Sequence, residues 1–245
     1  MIRAIIPCVE YSDILNLTLP YNKSFVSETL VVTSPDDTQT IEVAQSHGAQ
    51  VHVTDAFYRK QARFNKAAAI EEGLDVLGRS GWILLLDADI LIPHRRHRFE
   101  PKIGRVYTAR RRILKRLPQR VPPETEWREN KLMLNNEEYG GCFQLFHAED
   151  RALGRTPWHN TEWWWAGGSG IPINEKWPLP MQTRPSFEVL HLGEPFRNWV
   201  GRVTPYIDGT RHPDYLDRAS AMRSLLQARR RSTKSGRFLE GATCE

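Results

Sequence analysis

The stretch Trp82-Ile83-Leu84-Leu85-Leu86-Asp87-Ala88-Asp89 decides the fold. Its five apolar residues have the length of a buried strand, and they run directly into two carboxylates. Upstream, Phe64, Ala67, Ile70, Leu74 and Leu77 recur every three or four residues, one face of an amphipathic helix closed by Gly78. Val51 to Val53 predicts a short strand before that helix. Gln39 to His47 predicts another helix, entered through Ser34-Pro35-Asp36-Asp37 and ended at Gly48. Thr29 to Thr33 and Arg3 to Cys8 supply two further strands. Strand and helix alternating in this way imply parallel pairing through crossover helices, a Rossmann-like α/β sheet. Ligands of such sheets bind beyond the carboxyl ends of the strands, where Asp87 and Asp89 fall.

Past Pro93 the pattern changes. Residues 94–140 are basic and proline-punctuated, with short strand-like pieces such as Arg105 to Thr108, and they predict a long loop or insert over the site. Cys142 to Phe146 and Ser186 to His191 read as strands, Glu149 to Leu153 as the start of a short helix, and Ala219 to Arg231 as helical. The expected organisation is one domain: a Rossmann-like half over 1–93, the basic insert over 94–140, a tryptophan-rich half over 141–205 and a basic tail over 206–245.

The 245 residues are 40% hydrophobic and 26% charged, a globular composition with ample length for a core. No apolar run approaches the length of a membrane span. Glu10 and Asp13 interrupt the first twenty residues, so a secretory signal is not expected. Cys8, Cys142 and Cys244 are few, odd in number and scattered, which predicts neither a disulfide framework nor structural zinc, and a cytoplasmic setting. The net charge of +5 is uneven. His94 to Arg120 holds eleven Lys or Arg and one acid, and Arg218 to Arg237 holds seven and none, so the remaining body is net acidic. Two basic segments on an acidic body suggest an anionic partner.

Asp-x-Asp alone is a common accident, but two carboxylates at the exit of a buried strand can reach one ion. Hard oxygen ligands suit Mg²⁺ or Mn²⁺, which commonly bridge carboxylates to substrate phosphates. The plainer alternative is one turn cap and one solvated charge.

In order along the chain, IIPC (5–8), VVTSPDD (31–37), VHVTDAF (51–57), RFNKAAAIEEGL (63–74), WILLLDADILIP (82–93) and EVLHLGEPFRNWVGR (188–202) resemble a GT-A type glycosyltransferase, closest to the family 2-like enzymes. The resemblance covers most of residues 1–93 and about 140–205, not the insert or tail. It implies a metal-dependent enzyme moving a sugar from a nucleotide diphosphate sugar, a UDP-sugar by expectation, to an acceptor hydroxyl. By that resemblance Pro7, Thr33, Asp36, Thr54, Asp55, Arg63, Asn65, Lys66, Asp87 and Ala88 lie along the nucleotide sugar. Asp87, Asp89 and His191 are the implied metal ligands, with Mn²⁺ preferred over Mg²⁺ because imidazole suits it better. Lys66 also has a physical argument, since a cation at a helix N-terminus is unfavourable without a nearby anion.

An inverting transfer needs one carboxylate to take the acceptor proton. Family members often place an Asp just after the small glycine-rich turn, where this chain has Gly170. Glu162 is the chosen substitute and Glu175 the second. Arg110, Arg111 and Arg112, with Trp163, Trp164 and Trp165, are the expected acceptor contacts: phosphate-binding cations and a stacking platform. They point to a hydroxymethylated pyrimidine in duplex DNA, as in virus-encoded base-modifying glycosyltransferases. The competing readings are a polysaccharide or lipid-linked acceptor at a membrane surface, without integral membrane association, and a nucleic-acid-binding module without catalysis.

Overall fold

Strands β1 (Ile2–Pro7), β2 (Glu28–Thr33), β3 (Gln50–Val53) and β4 (Trp82–Leu86) alternate with helices α1 (Ser12–Asn22), α2 (Thr38–Ser46) and α3 (Lys66–Leu77). The computed structural model describes residues 1–94, 99–133, 141–162, 164–167, 170–195 and 197–234, the side chains of 171 and 228–234 lying outside that description. After β4 come β5 (Ile90–Leu91), β6 (Val106–Thr108), β7 (Arg110–Leu114), β8 (Lys131–Leu132), β9 (Phe143–His147), α4 (Ile171–Asn174), β10 (Gln182–Thr183), β11 (Glu188–Leu192) and α5 (Tyr215–Lys234).

Seven strands form the central sheet in the order β10-β6-β9-β4-β1-β2-β3. β1 pairs in parallel with β2 and β4, and β2 with β3, as the alternation predicted. β9 runs antiparallel between β4 and β6. The buried parts of β1, β2 and β4 are apolar on both sides because both sheet faces are covered. Ala4, Ile6, Val31, Leu84 and Leu86 pack with Leu15, Leu19 and Ala44 of α1 and α2. Ile5, Leu30, Val32, Ile83 and Leu85 pack with Ile70, Leu74 and Leu77 of α3 and with Trp158 and Trp177.

Capping chemistry sets both helix starts, at Asp37 as expected and at Asn65, which the resemblance assigns to the nucleotide. Asp37 caps α2 by accepting from Thr40 N at 3.1 Å, and Asn65 caps α3 by accepting from Ala68 N at 2.9 Å. Helix α5 is longer than the expected 219–231, and residues 235–245, including Cys244, lie outside the described residues.

In the described part of 94–140 the strand-like piece at Arg105 to Thr108 is present, but the rest is more ordered than the expected loop; residues 95–98 and 134–140 lie outside the described residues. β6 joins the central sheet, while β7 and β8 build a second sheet in the order β5-β11-β7-β8. Arg112 is held there by Glu188 at 2.6 Å and by the Arg128 and Asn130 carbonyls, both at 2.9 Å. A run of arginines hides a strand whose pairing partners are distant in sequence. Glu149 to Leu153 forms only a 3-10 turn at Arg151–Leu153.

Candidate functional site

The turn after β4 is fixed from three sides. Asp87 N donates to Cys142 O at 3.0 Å, Ile90 N donates to Asp87 O at 3.3 Å, and Leu192 N donates to Asp89 O at 2.8 Å. Thr18 of α1 donates to Ala88 O at 2.7 Å, so Ala88 is a buried backbone anchor. β5 then pairs antiparallel with β11, setting His191 opposite Ile90 and close to Asp89.

His191 Nε2 lies 3.6 Å from Asp89 Oδ2. Its Nδ1 is 3.3 Å from Gly193 O, and since a carbonyl only accepts, Nδ1 carries the proton. Nε2 is the ring nitrogen left facing Asp89 Oδ2. Asp89 Oδ1 is buried without a hydrogen-bond partner among the described residues. Burial, then the Asp87 charge, push the Asp89 carboxyl above its usual range, while His191, Lys66 and Arg111 oppose the shift. An imidazole nitrogen and a buried carboxylate so placed can serve as two ligands of one cation. Asp87 turns elsewhere: its Oδ1 accepts directly from Lys66 Nζ, whose side chain is 12% exposed. The anion that a lysine at a helix start requires is thus supplied by the chain itself. Among the described residues no three His, Cys, Asp or Glu side chains gather as a metal cage.

The remaining expected nucleotide contacts divide. Pro7, Thr33 and Asp36 stand at the ends of β1 and β2, with Asp36 exposed and Thr33 buried against the cap Asp37 at 3.3 Å. Thr54 is committed to Glu72 and to Ala56 N at 3.0 Å, and Asp55 to Arg59 at 2.6 Å. Arg63 is exposed and pairs with Asp217 of α5 at 3.5 Å. Asn65 is spent on its cap and on Thr161 O at 2.7 Å.

Glu162, 70% exposed, pairs with Lys60 at 3.0 Å on the rim. Glu175 is exposed, and its neighbours Lys176 and Trp177 bond to Leu153 O and Asp150, both 3.0 Å. Those partners follow the end of β9 that pairs with Trp82, away from Asp87, so Glu175 is not brought to the acid pair. Gly170 has no room for an acid: a Cβ there would lie 2.7 Å from Gly141 Cα and 2.9 Å from Gln144 Oε1.

Of the acceptor candidates, Arg110 is exposed, Arg111 faces Asp89 and Cys142 electrostatically, and Arg112 is held by Glu188. Trp165 is buried with Val200, Met222 and Leu225, and Trp164 packs edge-on against it at 4.8 Å. Trp163 lies outside the described residues. The described part of the tryptophan run is therefore a seat for α5 and not an open platform.

Sequence reasoning missed two residues. Tyr11 is placed where the Asp89 charge acts on its phenol, and its hydroxyl accepts from Asn198. Glu71 is buried under α3, accepting from His159 Nδ1 at 2.6 Å, from His159 N at 2.9 Å, from Trp158 N at 3.0 Å and from Arg79 at 2.8 Å. The tryptophan run is joined to the start of α3, with Arg63 N and Phe64 N both donating to Trp164 O. Only the register of Glu71 within its helix, on the apolar side, carried a signal.

No family model and no curated protein matches the chain. Among solved structures it is similar to mannosyl-3-phosphoglycerate synthase from Rubrobacter xylanophilus, at 17% identity over 100% of this chain and 78% of that one, with a TM-score of 0.45. Glucosyl-3-phosphoglycerate synthase from Mycobacterium tuberculosis gives 15% identity over 98% and 82%, with a TM-score of 0.46. A 4-diphosphocytidyl-2C-methyl-D-erythritol synthase gives 16% over 91% and 99%, with a TM-score of 0.43. These are likenesses of chain path at low identity, and the chemistry is decided by this chain's own side chains.

Proposed function

We propose that the chain is a metal-dependent glycosyltransferase that takes a sugar from a nucleotide diphosphate sugar and delivers it to an acceptor hydroxyl. The observation that carries this reading is the Asp89–His191 pair, 3.6 Å apart with Asp89 Oδ1 buried and without a hydrogen-bond partner among the described residues, at the carboxyl end of a central parallel strand. Mn²⁺ or Mg²⁺ fits it, because such ions take one or two protein ligands and complete their shell with water and substrate phosphates. A bound ion would supply Lewis acidity to the departing diphosphate. Asp89 and His191 hold it; Lys66, now on Asp87, lies within reach of the same negative charge and orients the diphosphate. Pro7, Thr33 and Asp36 border the nucleoside at the ends of β1 and β2. Glu162, on the segment bonded to the start of α3, is the better placed of the two general-base candidates.

For the acceptor, exposed Arg110, Lys115, Arg116 and Arg120 favour a polyanion, and hydroxymethylated duplex DNA is the form we propose. Arg112 is not counted, being held by Glu188. The test is a mass-spectrometric screen of several UDP-sugars with Mn²⁺, offering hydroxymethyl-containing duplex DNA and simple glycans. Transfer to DNA that weakens steeply with salt supports the full reading, transfer to glycans alone removes the DNA acceptor, and no transfer or donor hydrolysis removes the enzyme.

A further inference from the structure

Glu10, just past β1, has φ of +62°, a backbone conformation uncommon outside glycine. Its N–H donates to Asp37 Oδ2 at 2.5 Å, which ties this turn to the cap of α2. Its carboxylate accepts two bonds from the Arg218 guanidinium of α5, and His212 Nε2 lies 3.0 Å from it. One acidic residue at the end of the first strand thus draws the C-terminal helix across the carboxyl edge of the sheet. Arg63–Asp217 at 3.5 Å is a second tie, and Met222 and Leu225 seated on Trp165 and Val200 are a third.

Tyr58 lies in the segment that follows β3. It is an aromatic residue left 39% exposed although its neighbours Ala56 and Phe57 are fully buried. Its ring is supported edge-on by Phe64 at 6.2 Å and tilted against Phe57 at 6.3 Å. The charges that act on its phenol are those of Glu10, Arg218, Asp37 and Asp36, groups from the ends of β1 and β2 and from α5. A rigid aromatic surface framed by hydrogen-bonding groups at this edge has the features of a base-stacking site.

We propose that Tyr58 is the stacking surface for the base of the nucleoside diphosphate, and that α5, latched to Glu10 through Arg218, forms the outer wall of that base pocket. The inference rests on the donor reading above and adds two elements to it, the aromatic after β3 and the C-terminal helix. The wall also gives the tail a role in donor binding, separate from any contact with the acceptor.

The experiment is calorimetric titration with UDP and with inorganic pyrophosphate, each in the presence of Mn²⁺, for wild type, Tyr58→Ala, Tyr58→Phe and Arg218→Ala. Stacking predicts that Tyr58→Ala weakens UDP about tenfold or more and leaves pyrophosphate unchanged, while Tyr58→Phe keeps UDP affinity. Arg218→Ala is expected to weaken UDP and not pyrophosphate. Hydrogen exchange of the unmodified protein is the second measurement, with slower exchange over 215–227 expected on UDP binding and not on pyrophosphate binding. Equal loss of both ligands in Tyr58→Ala, or no loss of UDP, overturns the inference and leaves the donor reading standing. A wild type that binds neither ligand with Mn²⁺ overturns both.

Discussion

Lys66 at the first position of α3 is bonded through its ammonium to Asp87, the residue that closes β4 twenty-one positions later. The pair brings a cation and an anion to the start of a helix whose own dipole favours the anion. An incoming diphosphate would compete with Asp87 for that cation. Lys66→Met is therefore expected to weaken pyrophosphate and UDP alike, about tenfold. Calorimetry in Mn²⁺ checks it, and unchanged affinity for both ligands would separate Lys66 from the phosphates.

Arg202 is fully buried, held by two bonds to Asp13 and lying over the rings of Tyr11 at 4.7 Å and Tyr206 at 4.0 Å. Removing one member of such a pair leaves the other charge uncompensated, at a cost of about 3–5 kcal/mol. Arg202→Met is expected to lower stability by that order in urea denaturation, and a loss below about 1 kcal/mol would contradict it.

Much of the fold was legible because it rests on local chemistry. The runs of β1, β2 and β4, the cap region ending at Asp37 and the position of the carboxylates after β4 are all short-range signals. What stayed hidden depends on partners far along the chain. β7 looked like a charge run because Glu188, which pairs Arg112, lies 76 residues away. The role of Glu71 depends on His159, 88 residues on, which meets it in the interior. The tryptophan run reads as a platform because its cover, α5, is mostly polar and brings only a short apolar patch, Ala221, Met222, Leu225 and Leu226, to it.

The Glu71–His159 pair carries a pH dependence. Burial lowers the His159 pKa below its ordinary 6.5, against the pull of Glu71. Burial of Glu71 acts to raise its pKa, but the hydrogen bonds from His159 and the charge of Arg79 hold it below its ordinary 4.5. A histidine with a depressed folded pKa binds fewer protons folded than unfolded, so stability falls as pH drops through the unfolded value near 6.5. The depressed Glu71 adds stability above its unfolded value and loses it as pH drops through the folded one. Thermal melts between pH 7.5 and 5.5 are expected to show a declining Tm, with a shallower slope in His159→Gln. An equal slope would contradict the buried neutral ring.

Gly170 sits where added side-chain atoms meet Gly141 Cα at 2.7 Å, and its carbonyl accepts from Gln144 Nε2 at 2.8 Å. Gly170→Ala is expected to cost about 1–3 kcal/mol through overpacking. Chemical denaturation reads this directly, and a neutral substitution would mean that the 141 and 170 turns separate freely.

The central claim, that Asp89 and His191 hold a divalent ion beside the donor diphosphate, is tested most directly by electron paramagnetic resonance of Mn²⁺. The free-ion signal is followed as protein is added with UDP, for wild type, Asp89→Asn and His191→Gln. The account predicts that wild type removes one equivalent of free Mn²⁺ from the signal, that Asp89→Asn removes none at the same concentrations, and that His191→Gln binds about 10–100-fold more weakly. Equal depletion by wild type and Asp89→Asn would contradict it.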